Sequence, residues 1–301
     1  MSSTSAHHTA KKAPKQQRPI ERSIEIDDKS AEEIVEILSE NHAVEELEIE
    51  YCPDQITSPV ISAIFQLKNV TTLHLFENQI GDSGAREIAN HLVGSIVTTL
   101  HLYGNEIGNQ IGDAGATAIA KNLVGSSLTY LNLYGNQIGN QGATEIANNL
   151  VGSSLTCLCL EDNEIGHLGA REIAKNLVGS NVTTLHLDNN EIGDDGACEI
   201  ANNLVGSSLT YLNLYNNRIG DTGACEIANN LVGSSLTTLR LSYNKIGDTG
   251  ACEIGKNLVG SNLTYLDLNH NQISDEIFIS KKAELCQAWR DAGKDQKNIH
   301  F

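Results

Sequence analysis

"VTTLHLFENQIGDSGAREIANHLVGSI", residues 70 to 96, comes back seven more times along this 301-residue chain, at starts 97, 128, 155, 182, 209, 236 and 263. The step is 27 residues everywhere except from 97 to 128, where it is 31. A fixed period in this range marks an array in which each unit is one supersecondary structure stacked on its neighbours. The length alone would fit two average domains. The period predicts one extended domain instead.

Inside each copy, positions 4 and 6 are apolar and point to one side, while positions 3 and 5 point to the other, the period-2 signature of a strand. Position 9 is Asn in all eight copies: Asn78, Asn105, Asn136, Asn163, Asn190, Asn217, Asn244 and Asn271. Backbone groups freed where the chain turns out of the strand need partners, and an amide side chain is both donor and acceptor. After the turn, Asp82 is expected to cap its own helix, Ile88, Ala89 and Leu92 form an apolar stripe, and Gly94 ends the helix. Neither the strand nor the helix can bury its apolar side alone, so the units stack, strands roughly 4.8 Å apart and helices about 8 to 10 Å apart. The unequal spacings bend the stack with the strands inside.

The pattern L-x-L-x-x-N-x-I resembles the leucine-rich-repeat family over roughly residues 44 to 275. With "IGDxGA" and "EIAxxL", the copies are most similar to its ribonuclease-inhibitor-like (NLR-like) branch. That resemblance implies an α/β fold, a right-handed horseshoe solenoid with parallel strands on the concave face and helices on the convex face. It also implies binding of proteins by the concave face and its rims. Ribonuclease inhibitors are far richer in cysteine, so ribonuclease inhibition is not implied. The near-identical copies and acidic body are similar in style to leucine-rich-repeat effectors injected by Legionella-type intracellular bacteria. Ran-GTPase-activating proteins share the repeat class, which makes GTPase activation the alternative function.

Around the eight repeats of residues 70–274, the last of them truncated, residues 23–69 read as an amino-terminal cap plus a degenerate first repeat with Cys52 at the Asn position. Residues 275–301 read as a capping helix and tail, with Leu285 and Trp289 covering the open end. Residues 1–22 are polar and hold five basic groups against one acidic group, and read as a disordered basic tail.

The formal net charge is −18, so residues 23–301 carry −22 once the tail's net +4 is removed. Such a body repels phosphate backbones, which excludes nucleic acid as the expected partner and favours a protein with a basic patch. No signal-like segment and no run of about 18 apolar residues is present. The chain is therefore expected in the cytoplasm, or in a host cell cytosol reached without a classical signal peptide, with no membrane insertion and as a monomer on its own. Seven cysteines without a secretory signal favour reduced thiols. Cys198, Cys225 and Cys252, in register on successive helices, are expected to be free.

All eight tyrosines fall at position 3, 7 or 8 of their repeats, on the side predicted to be concave. The partner-binding surface is therefore assigned to Tyr103, Tyr130, Tyr134, Tyr211, Tyr215, Tyr243 and Tyr265, with Phe76 at position 7, because tyrosine offers large contact area and a hydroxyl at low entropic cost. His74, His101, His186 and Arg240 at position 5 belong to it, as do Glu77, Glu161, Asp162 and Asp188. Cys159, His186 and Asp188 could compose a nucleophile set, or with Glu161 a metal cluster. On an open face without an oxyanion hole, pocket or lid they read as contact residues. No catalytic residue, metal or cofactor is expected. Gly104, Gly108 and Gly112 do not compose a nucleotide-binding glycine motif. The four extra residues of the second copy, Gly108, Asn109, Gln110 and Ile111, are assigned to a rim loop beside Tyr103. The function these features imply is a protein-binding module that covers about 1,600 Å² and occludes its partner's active site.

Overall fold

The computed structural model describes residues 23–41, 43–52, 56–104, 110–274, 287, 289–290, 293 and 298–300. The tail assigned to residues 1–22 lies outside the described residues, as does most of the predicted carboxy-terminal capping helix.

Eleven strands form one parallel sheet in strict chain order. It begins with β1 (Ser23–Asp27) and β2 (Glu46–Glu50), and continues with a three-residue strand in each repeat from β3 (Thr72–His74) to β10 (Tyr265–Asp267). Each of the first nine strands is followed by a helix, from α1 (Ala31–Glu40) to α9 (Asp248–Asn257). This is an unclosed α/β solenoid, as the repeat predicts. Leu73, Leu75 and their counterparts in every later repeat are fully buried against the helical stripe of Ile88, Ala89 and Leu92. The expected carboxy-terminal tail holds a strand. The structure places Ile299–His300 as β11, paired with Leu266–Asp267. Trp289 is fully buried.

The Asn column bridges neighbouring repeats. Asn190 Nδ2 donates to Leu160 O at 2.9 Å and Leu187 O at 3.1 Å, while its Oδ1 accepts from Ile165 N at 2.9 Å. Three backbone groups are thus satisfied by one buried amide. Asn105 lies outside the described residues.

The helix caps differ from expectation. Asp82 does not cap its own helix, α3 (Gly81–Leu92), which has no side-chain cap. Its Oδ1 instead accepts from Gly112 N and Gly115 N, both at 2.8 Å, at the start of α4 (Asp113–Ala120) in the next repeat. Asp113, Asn140, Asp194 and Asp221 do the same for the helix after theirs. Two members of this column make no such bond: Ile56, whose side chain has no acceptor, and His167 at the start of α6 (His167–Leu177). In the repeats that follow them, Gly81 and Gly193 have φ of +56° and +61°. At the capped helices the equivalent glycine is extended, for example φ −97° at Gly112 and −101° at Gly220. A cross-repeat carboxylate or amide therefore selects the glycine conformation at the helix start, and its loss leaves the left-handed form that glycine tolerates.

Candidate protein-interaction face

Positions 3 and 5 of the strands emerge on the face away from the helices, as in β3, where Leu73 is buried between half-buried Thr72 and His74. Parallel register then aligns side chains from successive repeats: His74 opposite His101, His101 opposite Asn132, Cys159 opposite His186, and Asn213 opposite Arg240.

Two aromatic groups result. Toward the amino end, His74 and His101 stack at 4.3 Å and His101 meets Tyr130 at 4.9 Å. Beside them Phe76 stacks on Tyr103 at 4.5 Å, and Tyr103 approaches Tyr134 at 6.3 Å. Toward the other end, Tyr215 meets Tyr243 at 4.9 Å, Tyr243 meets His270 at 4.1 Å, and Tyr265 meets His300 at 5.3 Å. Between the groups, His186 packs on Tyr211 at 4.8 Å.

Most assigned tyrosines are half-buried on this face, and Tyr243 is 47% exposed. Phe76 is corrected: only 8% exposed, it supports the Tyr103 ring from beneath and offers little surface. Ile111 is also corrected. It is fully buried, with its N–H on Asn136 Oδ1 and its carbonyl accepting from Gln137 N, so it is the core isoleucine of its repeat and no part of a rim loop. Gln110 is exposed with φ +49°. Gly108 and Asn109 lie outside the described residues. Gln110, Tyr134, Gln137 and Asp162 border an open hollow of about 470 Å³ at this rim.

Position 8 carries a constraint that the sequence did not reveal. Tyr51, Glu77, Asp162, Asn189, Asn216, Tyr243 and His270 all have φ between +48° and +59°. Left-handed backbone costs a residue with a Cβ roughly 1 to 2 kcal/mol and favours Gly or Asn. Keeping Tyr, Glu and His there means that the strand exit aims large side chains outward at a cost to stability, the kind of strain that gathers at functional sites. His270, which the sequence reading passed over, was findable as a member of this column.

The electrostatics follow burial. Burial drives the His101 pKa down to about 4, with the neighbouring His74 adding to it. Glu161 is pushed up to about 8 and Asp188 to about 6, both chiefly by burial. His186 is lowered, again by burial first and then by Arg240. His186 Nδ1 and Glu161 Oε1 lie 3.3 Å apart, and both shifts favour the uncharged forms of the two groups. Acidic Glu77 and Asp162 flank this region, whereas Arg240, 3.9 Å from Asp267, marks the other end.

Among the described residues, three buried side-chain atoms have no hydrogen-bond partner: His101 Nδ1, Glu161 Oε2 and Arg240 Nε. All three belong to the strand face. Buried polar atoms are ordinarily paired.

A profile of the family described as Leucine Rich repeat matches residues 66–89, 108–120, 126–147, 180–201, 207–228, 234–255 and 261–278. These are leucine-rich repeats. They mark a protein–protein interaction module. The matches leave out 148–179, one whole repeat, which holds Cys157, Cys159, Glu161 and His167. No curated protein matches the sequence. Among solved structures, the fold is similar to an internalin (inlF) from Listeria monocytogenes, at 23% identity, TM-score 0.52, and coverage of 82% of this chain and 67% of that one. Weaker likenesses are to the Rad7 and Elc1 complex of yeast (16% identity, TM-score 0.46, 82% and 68% covered) and to a TDR receptor (16%, 0.44, 79% and 41%).

On the opposite edge of the repeats, Val93, Val124, Val151, Val178, Val205, Val232 and Val259 are 44–54% exposed, each followed by a left-handed glycine. The sequence reading gave that stretch only a helix-ending role. The described cysteines outside the strand face, Cys52, Cys198, Cys225 and Cys252, are free thiols. Among the described residues no helix is long and apolar enough to cross a membrane.

Proposed function

We propose that the strand face of this solenoid binds another protein, with the aromatic groups as anchors and the acidic residues selecting a basic patch on the partner. The half-buried rings of Tyr103, Tyr134 and Tyr215, which register between successive repeats sets side by side on the open strand face, carry this reading, because ordered tyrosines of this kind are what protein interfaces use as anchors. Strained, outward-facing side chains at position 8 support it from an independent direction. Tyr103 and Tyr134 are the expected hot spots, each held by a neighbouring ring and so ordered before binding. A partner seated on a curved face is covered over the area it presents, and the proposed action is inhibition by occlusion. We do not extend this to effector delivery or GTPase activation, for which no residue of the face argues.

The test is affinity capture with the wild-type chain and with Tyr103→Ala/Tyr134→Ala, at low and high salt. A basic partner retained by the wild type, weakened by salt and lost by the variant is the expected outcome. Equal capture of the same proteins by both would refute the assignment.

A further inference from the structure

The repeat that the family profile passes over carries a second chemistry. Strand β6 (Cys157–Cys159) reads Cys-Leu-Cys, and its alternation buries Leu158 while sending both sulfurs to the strand face. Their Sγ atoms lie 3.9 Å apart. In the adjacent strand β7 (Thr184–His186), His186 pairs in register with Cys159. One ring nitrogen of His186 and the two sulfurs all lie within 4.8 Å of one another. Glu161, two residues beyond Cys159, places Oε1 3.3 Å from His186 Nδ1.

We infer that Cys157, Cys159 and His186 form a binding site for a thiophilic divalent cation, Zn²⁺ in chemical class, with Glu161 orienting the imidazole and a fourth coordination position facing the open side of the sheet. Two thiolates, one imidazole and an open position constitute a recurrent zinc donor set. A tetrahedral zinc with Zn–S bonds of about 2.3 Å requires sulfurs about 3.8 Å apart, which is the separation already present. A carboxyl group beside the imidazole is the usual outer partner of a zinc-bound histidine, and Glu161 stands in that place; the charge of a bound Zn²⁺ would offset the burial that otherwise favours its neutral form. Other groups hold the site in shape. Tyr130 Oη lies 3.6 Å from Cys159 Sγ, and Asp188 Oδ1 accepts from Asn213 Nδ2 at 2.7 Å. Cys159 is buried and Cys157 and His186 are half-buried, so the three donors are set into the strand face and keep one side open. Binding balances simply: Zn²⁺ enters, each thiol that ligates releases one proton to water, and no redox partner is needed. The inference does not depend on the protein-binding proposal, and a chain that takes zinc without binding any protein would leave it intact.

The experiment is a titration of the full, reduced, metal-free chain with Co²⁺, followed by Zn²⁺. One equivalent of Co²⁺ should give thiolate-to-metal charge-transfer absorption and tetrahedral d–d bands, both abolished by one equivalent of Zn²⁺. Cys157→Ser/Cys159→Ser should lose the bands. Cys198→Ser/Cys225→Ser/Cys252→Ser should keep them, and Glu161→Gln should weaken affinity by about 10- to 100-fold. A measurement on the wild type alone guards against a misfolded variant: Zn²⁺ should protect Cys157 and Cys159, and not the three helix cysteines, from alkylation mapped by mass spectrometry. Absence of a thiolate band, persistence of the band in Cys157→Ser/Cys159→Ser, or alkylation of Cys157 and Cys159 unchanged by Zn²⁺ would overturn the inference.

Discussion

The turn and helix shell of this solenoid says nearly the same thing in every repeat, while the strand face says something different in each. In the shell, Asn163, Asn190 and Asn244 make the same bonds to the same backbone groups of their neighbours, and Asp113 and Asp221 cap the next helix in the same way. On the strand face one column alone runs His74, His101, Asn132, Cys159, His186, Asn213, Arg240 and Asp267. A residue repeated because each unit needs the same bond is scaffold, and a column free to vary without harm to stacking is where binding can be written. Substitutions in the shell should therefore cost stability, and substitutions on the face should cost binding.

The largest effect is expected at Asn190→Ala, which strands buried Ile165 N–H and takes one of two amide donors from each of the Leu160 and Leu187 carbonyls, leaving them Asn163 and Asn217. Chemical denaturation should show a loss of about 2 to 3 kcal/mol, since one unsatisfied buried group costs roughly 1 to 3 kcal/mol and two further hydrogen bonds are lost. Next come the caps, which give a reciprocal pair. Asp221→Ala removes the acceptor for Gly247 and Gly250 and should lower stability by about 1 kcal/mol. His167→Asp supplies the missing acceptor before α7 (Gly193–Asn202) and should raise stability by roughly 0.5 to 1 kcal/mol, with Gly193 moving to the extended form. If His167→Asp destabilises the chain, the cross-repeat cap does not control the glycine. The smallest effect is the most discriminating between the two regions. Tyr243→Asn relaxes a left-handed backbone and should raise stability by a few tenths of a kcal/mol, seen as a small rise in the thermal midpoint, while weakening partner binding.

How much of this was legible in the sequence divides along the same line. The Leu and Asn columns were readable because a period of 27 superposes eight copies and leaves only one role for an amide at a strand exit. Cross-repeat capping was hidden because an Asp at a helix start reads as the cap of its own helix. Only the packing of helix on helix brings Asp82 to Gly112 and Gly115, 30 and 33 residues on. Ile111 was misplaced for a related reason: the duplicated Ile-Gly beat offers two isoleucines for one core site, and the Asn136 bond decides for the second. On the face, columns 3, 7 and 8 identified the aromatic residues, but pairing between strands decides which rings support and which are presented. Phe76 fell on the supporting side. Cys157 was passed over because Cys159 was weighed with His186, Asp188 and Glu161 and not with its own strand neighbour, although a Cys-x-Cys on a strand puts both sulfurs on one face.

The central claim, that the strand face is the binding surface, is tested most directly by calorimetric titration of one captured partner against three forms of the chain: wild type, Tyr103→Ala/Tyr134→Ala on the face, and Val151→Ser/Val178→Ser on the opposite edge. The face variant should lose affinity by about 30-fold or more, corresponding to one or more hot spots of about 2 kcal/mol, and the valine variant should keep wild-type affinity. Unchanged affinity in the face variant together with a loss in the valine variant would contradict the claim.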